Sequence, residues 1–174
     1  MAQTFGPDNA RLTIRTARTG AASRAGHDLL IEVGSWQATL DPDGQPALTL
    51  TADARSLRVL QGTGGVKGLD DDDKANIAKT IDDEVLKGCA IEFRSSQVDR
   101  RADGVLAVTG ELELGGRRGP VEFDLTSRDG HLIGEAVVKQ TAFGIKPYSA
   151  LFGTLKVADE VRIGIDATLD QDSL

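Results

Sequence analysis

The stretch His27-Asp28-Leu29-Leu30-Ile31-Glu32-Val33-Gly34-Ser35-Trp36-Gln37-Ala38-Thr39-Leu40 decides the fold class. Leu29, Ile31 and Val33 recur every second residue, which puts them on one face of a strand. Trp36, Ala38 and Leu40 repeat the alternation after Gly34. A glycine inside such a pattern marks a bend or bulge in a long strand, or a short hairpin. Asp41-Pro42-Asp43-Gly44 then signals a turn, because proline presets its first dihedral and glycine accepts positive φ. The chain returns through Ala47-Leu48-Thr49-Leu50-Thr51-Ala52 with the same period.

Working outward, the habit recurs. Ala10 to Ala17 alternates around Leu12 and Ile14, and Ala90 to Ser95 alternates around Ile91 and Phe93. Val105 to Leu114, Val121 to Leu125, His131 to Thr141 and Glu160 to Leu169 complete the set, with Gly115 to Pro120 read as a loop and Arg128-Asp129-Gly130 as a turn. Turn signals near every tenth residue of an all-β chain indicate a sandwich or barrel. The 20 glycines are spread along the chain rather than clustered. The 174 residues suit one domain, 1–174, without a linker or internal repeat.

One region departs from the period. From Asp70 to Leu86 the spacing predicts a helix: Asp70 to Asp73 supply a cap and negative charge in the first turn, and Ile77, Ile81 and Val85 form an apolar stripe. This insertion can cap one end of the sheet as a lid, or cover a sheet edge, the commoner role. The glycine-rich run Gly62 to Gly68 before it is a loop without the Gly-Lys-Ser or Gly-Lys-Thr that a phosphate-binding loop needs.

Composition narrows the function classes. With Lys plus Arg 20 and Asp plus Glu 27, the net charge is −7, which disfavours nucleic acid and anionic membranes overall. No apolar run approaches the ~20 residues of a membrane helix, so no stable membrane insertion is expected. The N-terminus lacks the basic and apolar regions of a signal peptide, and the single Cys89 allows no internal disulfide. Both points lead to an expected cytoplasmic location. His27 and His131 are the only histidines, and His27 and Asp28 point to opposite faces of a strand. With Cys89 they offer no metal-ligand spacing, so neither a catalytic nor a metal centre nor a cofactor is expected.

The ordered set of segments resembles the YceI-like family of polyisoprenoid-binding, lipocalin-like proteins. The residues carrying the resemblance are Gly26-His27-Asp28, the helical insertion ending in Asp83-Glu84-Val85-Leu86, and Ile91-Glu92-Phe93-Arg94-Ser95. Val108-Thr109-Gly110-Glu111-Leu112, Gly119-Pro120-Val121, Phe143-Gly144-Ile145 and Val157-Ala158-Asp159-Glu160-Val161 follow in the family's order. Gln140-Thr141-Ala142-Phe143-Gly144 departs from the Arg-Ser-x-Phe-Gly found in many members. The resemblance implies an all-β fold with one short helical insertion, an eight-stranded antiparallel lipocalin-like β-barrel. It also implies an apolar lumen for an isoprenoid or fatty-acyl chain, and it is compatible with a homodimer.

The residues agree with an apolar inner face. Leu29, Ile31, Val33, Phe93, Val108, Leu112, Val121, Phe123 and Leu125 share it, with Gly110, Gly134 and Ala136 at matching parity. Small residues among large ones leave room for a narrow ligand; the other reading is an ordinary packed core. Phe143, Tyr148 and Phe152 are candidates for a mouth, or for a loop folded back on the barrel. The ligand-binding candidates are Leu29, Ile31, Phe93, Val108, Leu112, Phe123, Phe143 and Phe152. The expected function is binding, sequestering or carrying an apolar chain. The alternatives are a filled barrel acting as a structural, stress-related or protein-interaction module, and an enzyme acting on a lipid-like substrate at His27.

Overall fold

The computed structural model describes residues 2–170. In chain order the strands are β1 (Gln3–Phe5), β2 (Ala10–Thr16), β3 (Arg18–Thr19), β4 (Asp28–Val33), β5 (Trp36–Leu40), β6 (Leu48–Asp53) and β7 (Leu57–Thr63). Helix α1 (Asp71–Thr80) follows and runs into a π-helical turn, Ile81–Leu86. Then come β8 (Ala90–Arg100), β9 (Val105–Leu114), β10 (Arg117–Arg128), β11 (His131–Lys139), β12 (Ser149–Ala150), β13 (Leu155–Val157) and β14 (Glu160–Thr168).

Eleven of these segments form one curled antiparallel sheet in the order β1-β5-β6-β8-β9-β10-β11-β14-β2-β4-β7. Eight strands were expected; the sheet has eleven segments, because His27 to Leu40 is divided in two by a bend and β1 and β7 were not read as strands from the sequence. Between β4 and β5 the chain bends at Gly34 and Ser35, and Gly34 N donates to Ser56 O at 2.8 Å. A Cβ at Gly34 would come 2.9 Å from that carbonyl, so only glycine permits the approach. The paired stretch of the same chain breaks opposite, at residues 54–56 between β6 and β7. So β4 pairs with β7 while β5 pairs with β6. Gly34 is thus the bend in a long strand, not a hairpin.

The expected loop Gly115 to Pro120 shrinks to two residues. Gly115 and Gly116 both have positive φ (64° and 79°), the geometry of a tight hairpin turn. Arg117 already pairs with Leu114, and the ladder continues through Pro120 opposite Glu111. The helix starts as its sequence predicts. Asp70 accepts from Asp73 N (2.8 Å) and Asp73 accepts from Asp70 N (3.1 Å), a reciprocal capping box. The bond from Asp73 N to its charged form holds the Asp70 carboxyl below the ordinary aspartate range. The helix ends in a left-handed Lys87 followed by Gly88.

A second, three-stranded sheet, β12-β13-β3, sits at one end of the large one. Its strands are only two or three residues long, too short to carry a legible period. Within the large sheet the inner side chains build the core, including Leu12, Val33, Phe93, Val108, Leu112, Leu125 and Ala167.

Candidate functional site

The curled sheet encloses a cavity of about 520 Å³. Its wall is overwhelmingly aliphatic and aromatic, with β2, β4, β8, β9, β10, β11 and β14 all contributing inward side chains. Period 2 is the reason: in each strand alternate residues face inward, and those positions are apolar. Phe93 and Phe123 meet on this wall, ring centroids 5.5 Å apart and planes tilted by 57°, a favourable aromatic geometry.

Of the residues singled out from the sequence, Leu29, Ile31, Phe93, Leu112 and Phe123 stand on the cavity wall. Val108, Phe143 and Phe152 do not. Val108 is buried (2 % exposed) in solid core away from the cavity. The Phe143 ring packs over Gly119, where a Cβ would lie 3.0 Å from it, and so fills its own space. Phe152 is fully exposed at the tip of the β12–β13 hairpin.

Of the small residues named from the sequence, Gly134 and Ala136 stand on the cavity wall and Gly110 does not. A Cβ on Gly110 would sit 2.6 Å from Phe93 Cζ and 2.5 Å from Arg94 O. One on Gly134 would sit 2.5 Å from Leu125 Cδ2. Each glycine is already filled by a large neighbour from the adjoining strand. The cavity exists because the sheet curls wider than its side chains reach.

The helical stripe closes the picture. Ile77, Ile81 and Val85 all line the cavity, although no residue of α1 or of the π-helical turn is fully buried. The helix packs on β7 and at the same time covers the cavity. Opposite it, Ile145, Tyr148, Leu155 and Val157 supply further wall. That strap is anchored by the residues at the departure noted above. Gln140 Nε2 donates to Ala158 O (3.0 Å), and Asp159 accepts from Thr141 N (2.8 Å) and Thr141 Oγ1 (2.6 Å). The Thr141 bonds hold the Asp159 carboxyl below its ordinary range.

Arg18, with Glu135 and Lys156, is a charged wall residue that sequence reasoning missed; it opens the two-residue strand β3, too short to carry a period. Its Nη1 donates to Gly26 O (2.8 Å) and Thr63 O (3.0 Å), while its backbone N donates to Asp28 Oδ1 (2.8 Å). The guanidinium rests on Gly64, which has positive φ (81°) and no side chain to obstruct it. Nearby, His27 Nε2 donates to Lys67 O at 2.7 Å. Arg18 and His27 therefore pin the glycine-rich loop to the start of β4 at the rim of the cavity.

Other reactive types lie apart. His131 Nδ1 bonds Asp166 Oδ1 at 2.7 Å on the exposed outer face. Partial burial pushes the Cys89 thiol up, so it is protonated and a poor nucleophile at neutral pH. Among the described residues, no group of three or more His, Cys, Asp or Glu is placed to hold a metal. No helix among them is long and apolar enough to cross a membrane.

The YceI-like domain model matches residues 27–169. The chain belongs to the YceI-like family. The match runs from His27, at the rim, to the end of the last inward-facing strand. The crystal structure of Burkholderia cenocepacia BcnA is similar, with a TM-score of 0.62 over 92 % of this chain and 96 % of that one. At 16 % identity this likeness concerns the fold. No curated protein matches the chain.

Proposed function

We propose that this YceI-like protein is a non-enzymatic carrier that holds an isoprenoid or long acyl chain in the cavity of its sheet. We read β1 with β2, β4 with β5, and β6 with β7 as single bent strands. On that reading the eleven segments reduce to eight, and the two ends of the sheet order meet in a lipocalin-like barrel. The observation that carries the functional reading is the cavity of about 520 Å³ with its almost wholly apolar wall. It falls within the ~300–1,000 Å³ of small-molecule sites. Family members generally bind polyisoprenoids, which supports the same ligand class.

The energetics favour a chain. Each methylene moved from water into the wall contributes about 0.8 kcal/mol. About fifteen buried carbons supply about 12 kcal/mol, which leaves micromolar binding after about 4 kcal/mol is lost to association and to ordering the chain. A charged partner is not required for this.

Titration with a fluorescent polyene fatty acid and with a polyprenol tests the reading. Wild-type protein is expected to bind, and Phe123→Arg or Leu112→Arg, which place a charge in the wall, to bind at least tenfold more weakly while remaining folded by circular dichroism. Undiminished binding by a folded Arg variant would place the ligand elsewhere.

A further inference from the structure

The end of the molecule that holds the cavity rim has a composition unlike the rest. Segments 17–27, 60–69 and 140–158 carry Arg18, Arg24, Lys67, Lys146 and Lys156, and not one Asp or Glu, in a chain where acids outnumber bases 27 to 20. The three segments adjoin. Arg18 bonds Thr63 O, Ala22 N donates to Thr154 O (2.8 Å), and β3 pairs with β13. The aspartates that bound them are engaged: Asp28 with Arg18, Asp70 with Asp73 N, and Asp159 with Thr141. Beside the glycine-rich loop, Asp71, Asp72 and Asp73 belong to the first turn of α1, and Asp73 shares a surface hollow with Lys67 and Gly68, so Lys67 is partly offset by these acids.

The same end carries the most exposed apolar side chains. Val66 stands out from the glycine-rich loop, and Leu151 and Phe152 from the β12–β13 tip. Both tip residues adopt left-handed backbone (φ 51° and 55°), uncommon for bulky side chains. Thr154 caps the tip, its Oγ1 donating to Leu151 O at 2.6 Å. The base of this hairpin lines the cavity with Tyr148, Leu155 and Val157, so the tip stands beside the rim.

The geometry points to this end as a docking surface for an anionic lipid bilayer: Phe152, Leu151 and Val66 enter the interface, and Lys67, Lys146 and Lys156 meet the headgroups. Apolar side chains flanked by bases are the chemistry that such an interface selects. The rest of the chain carries all 27 acids and only 15 of the 20 bases, so its net charge favours a rim-first approach to an anionic surface. The inference rests on the carrier reading only for what is exchanged at the membrane; docking itself does not require an occupied cavity.

Co-sedimentation with phosphatidylcholine–phosphatidylglycerol vesicles, against phosphatidylcholine alone, tests it. Wild-type protein is expected to bind the mixed vesicles and to release them in high salt. Val66→Ser with Phe152→Asn removes two exposed apolar groups at residues that pack against nothing, and is expected to weaken binding about tenfold or more with an unchanged thermal midpoint. Lys146→Glu with Lys156→Glu is expected to erase the preference for phosphatidylglycerol. Failure of wild type to bind the mixed vesicles would overturn the inference, and would turn attention to a protein partner. Equal binding by the Val66→Ser, Phe152→Asn variant would also overturn it. In parallel, uptake of the polyene fatty acid from vesicles is expected to slow in that variant while its affinity for the free probe is unchanged. Vesicle binding by a protein that takes up no chain from any source would uphold the docking surface and refute the carrier reading.

Discussion

At the end of the sheet marked by the turns 101–104 and 129–130, Val108, Ala167 and Leu169 are buried with no cavity beside them. At the other end the wall is closed by α1, by the strap 140–157 and by the glycine-rich loop, and no residue of the helix is fully buried. The strands are continuous between the two ends and alternate in the same way. What differs is what completes the core: sheet against sheet at the first end, loosely packed cover elements over a cavity at the second. Stability is therefore concentrated where binding is not, and the elements with least buried surface lie where a ligand must enter.

Substitutions can break or sharpen this contrast. The largest effect is expected at Val108. Val108→Asp places an unpaired charge in solid core and is expected to cost about 4 kcal/mol or more in urea unfolding. Ile77→Ala, on the cavity side of the helix, is expected to cost about 1 kcal/mol or less, because its site already borders empty space. A similar loss at both positions would mean that the two ends are packed alike.

Glycines give an intermediate contrast. Gly110→Ala drives a methyl into Phe93 and the Arg94 carbonyl and is expected to destabilise by about 1–3 kcal/mol. Gly68→Ala meets nothing within 4 Å, and its φ is unrestrictive. It is expected to stay within about 0.5 kcal/mol of wild type. The smallest effect concerns the helix cap. Because the folded state holds the Asp70 carboxyl below its ordinary value, its contribution is complete above the ordinary aspartate range. That contribution is lost as pH falls through the depressed value. Hydrogen exchange of α1 amides is expected to rise in Asp70→Ala at neutral pH, with β8 to β11 unchanged.

These differences also explain what was legible in the sequence. Alternation around Leu29, Ile31, Phe93 and Leu112, the turn at Asp41 to Gly44 and the Asp70 cap are local signals, and each is found where its residues place it. The family was legible for the same reason, as an ordered set of such signals. The filling of the interior is not local. Gly110 and Gly134 are small, yet Phe93 and Leu125 occupy the room they leave. Period 2 reports the face a side chain takes, not how far the facing wall stands. Likewise Phe143 and Phe152 are close in sequence, but one packs over Gly119 and the other projects into solvent. Arg18 escaped notice because its partners, Gly26, Asp28 and Thr63, come together only through the pairing of β4 with β7. The bend at Gly34 was legible from its glycine, whereas the one at residues 54–56 and the strands β1 and β7 were not read.

The most direct test of the central claim is native mass spectrometry of freshly purified protein, paired with organic extraction of the same sample. A carrier is expected to show a discrete adduct that leaves with the organic phase as a chain-like hydrophobic molecule and is absent from Phe123→Arg. A clean unliganded mass, unchanged after incubation with polyprenols, quinones and fatty acids, would contradict it.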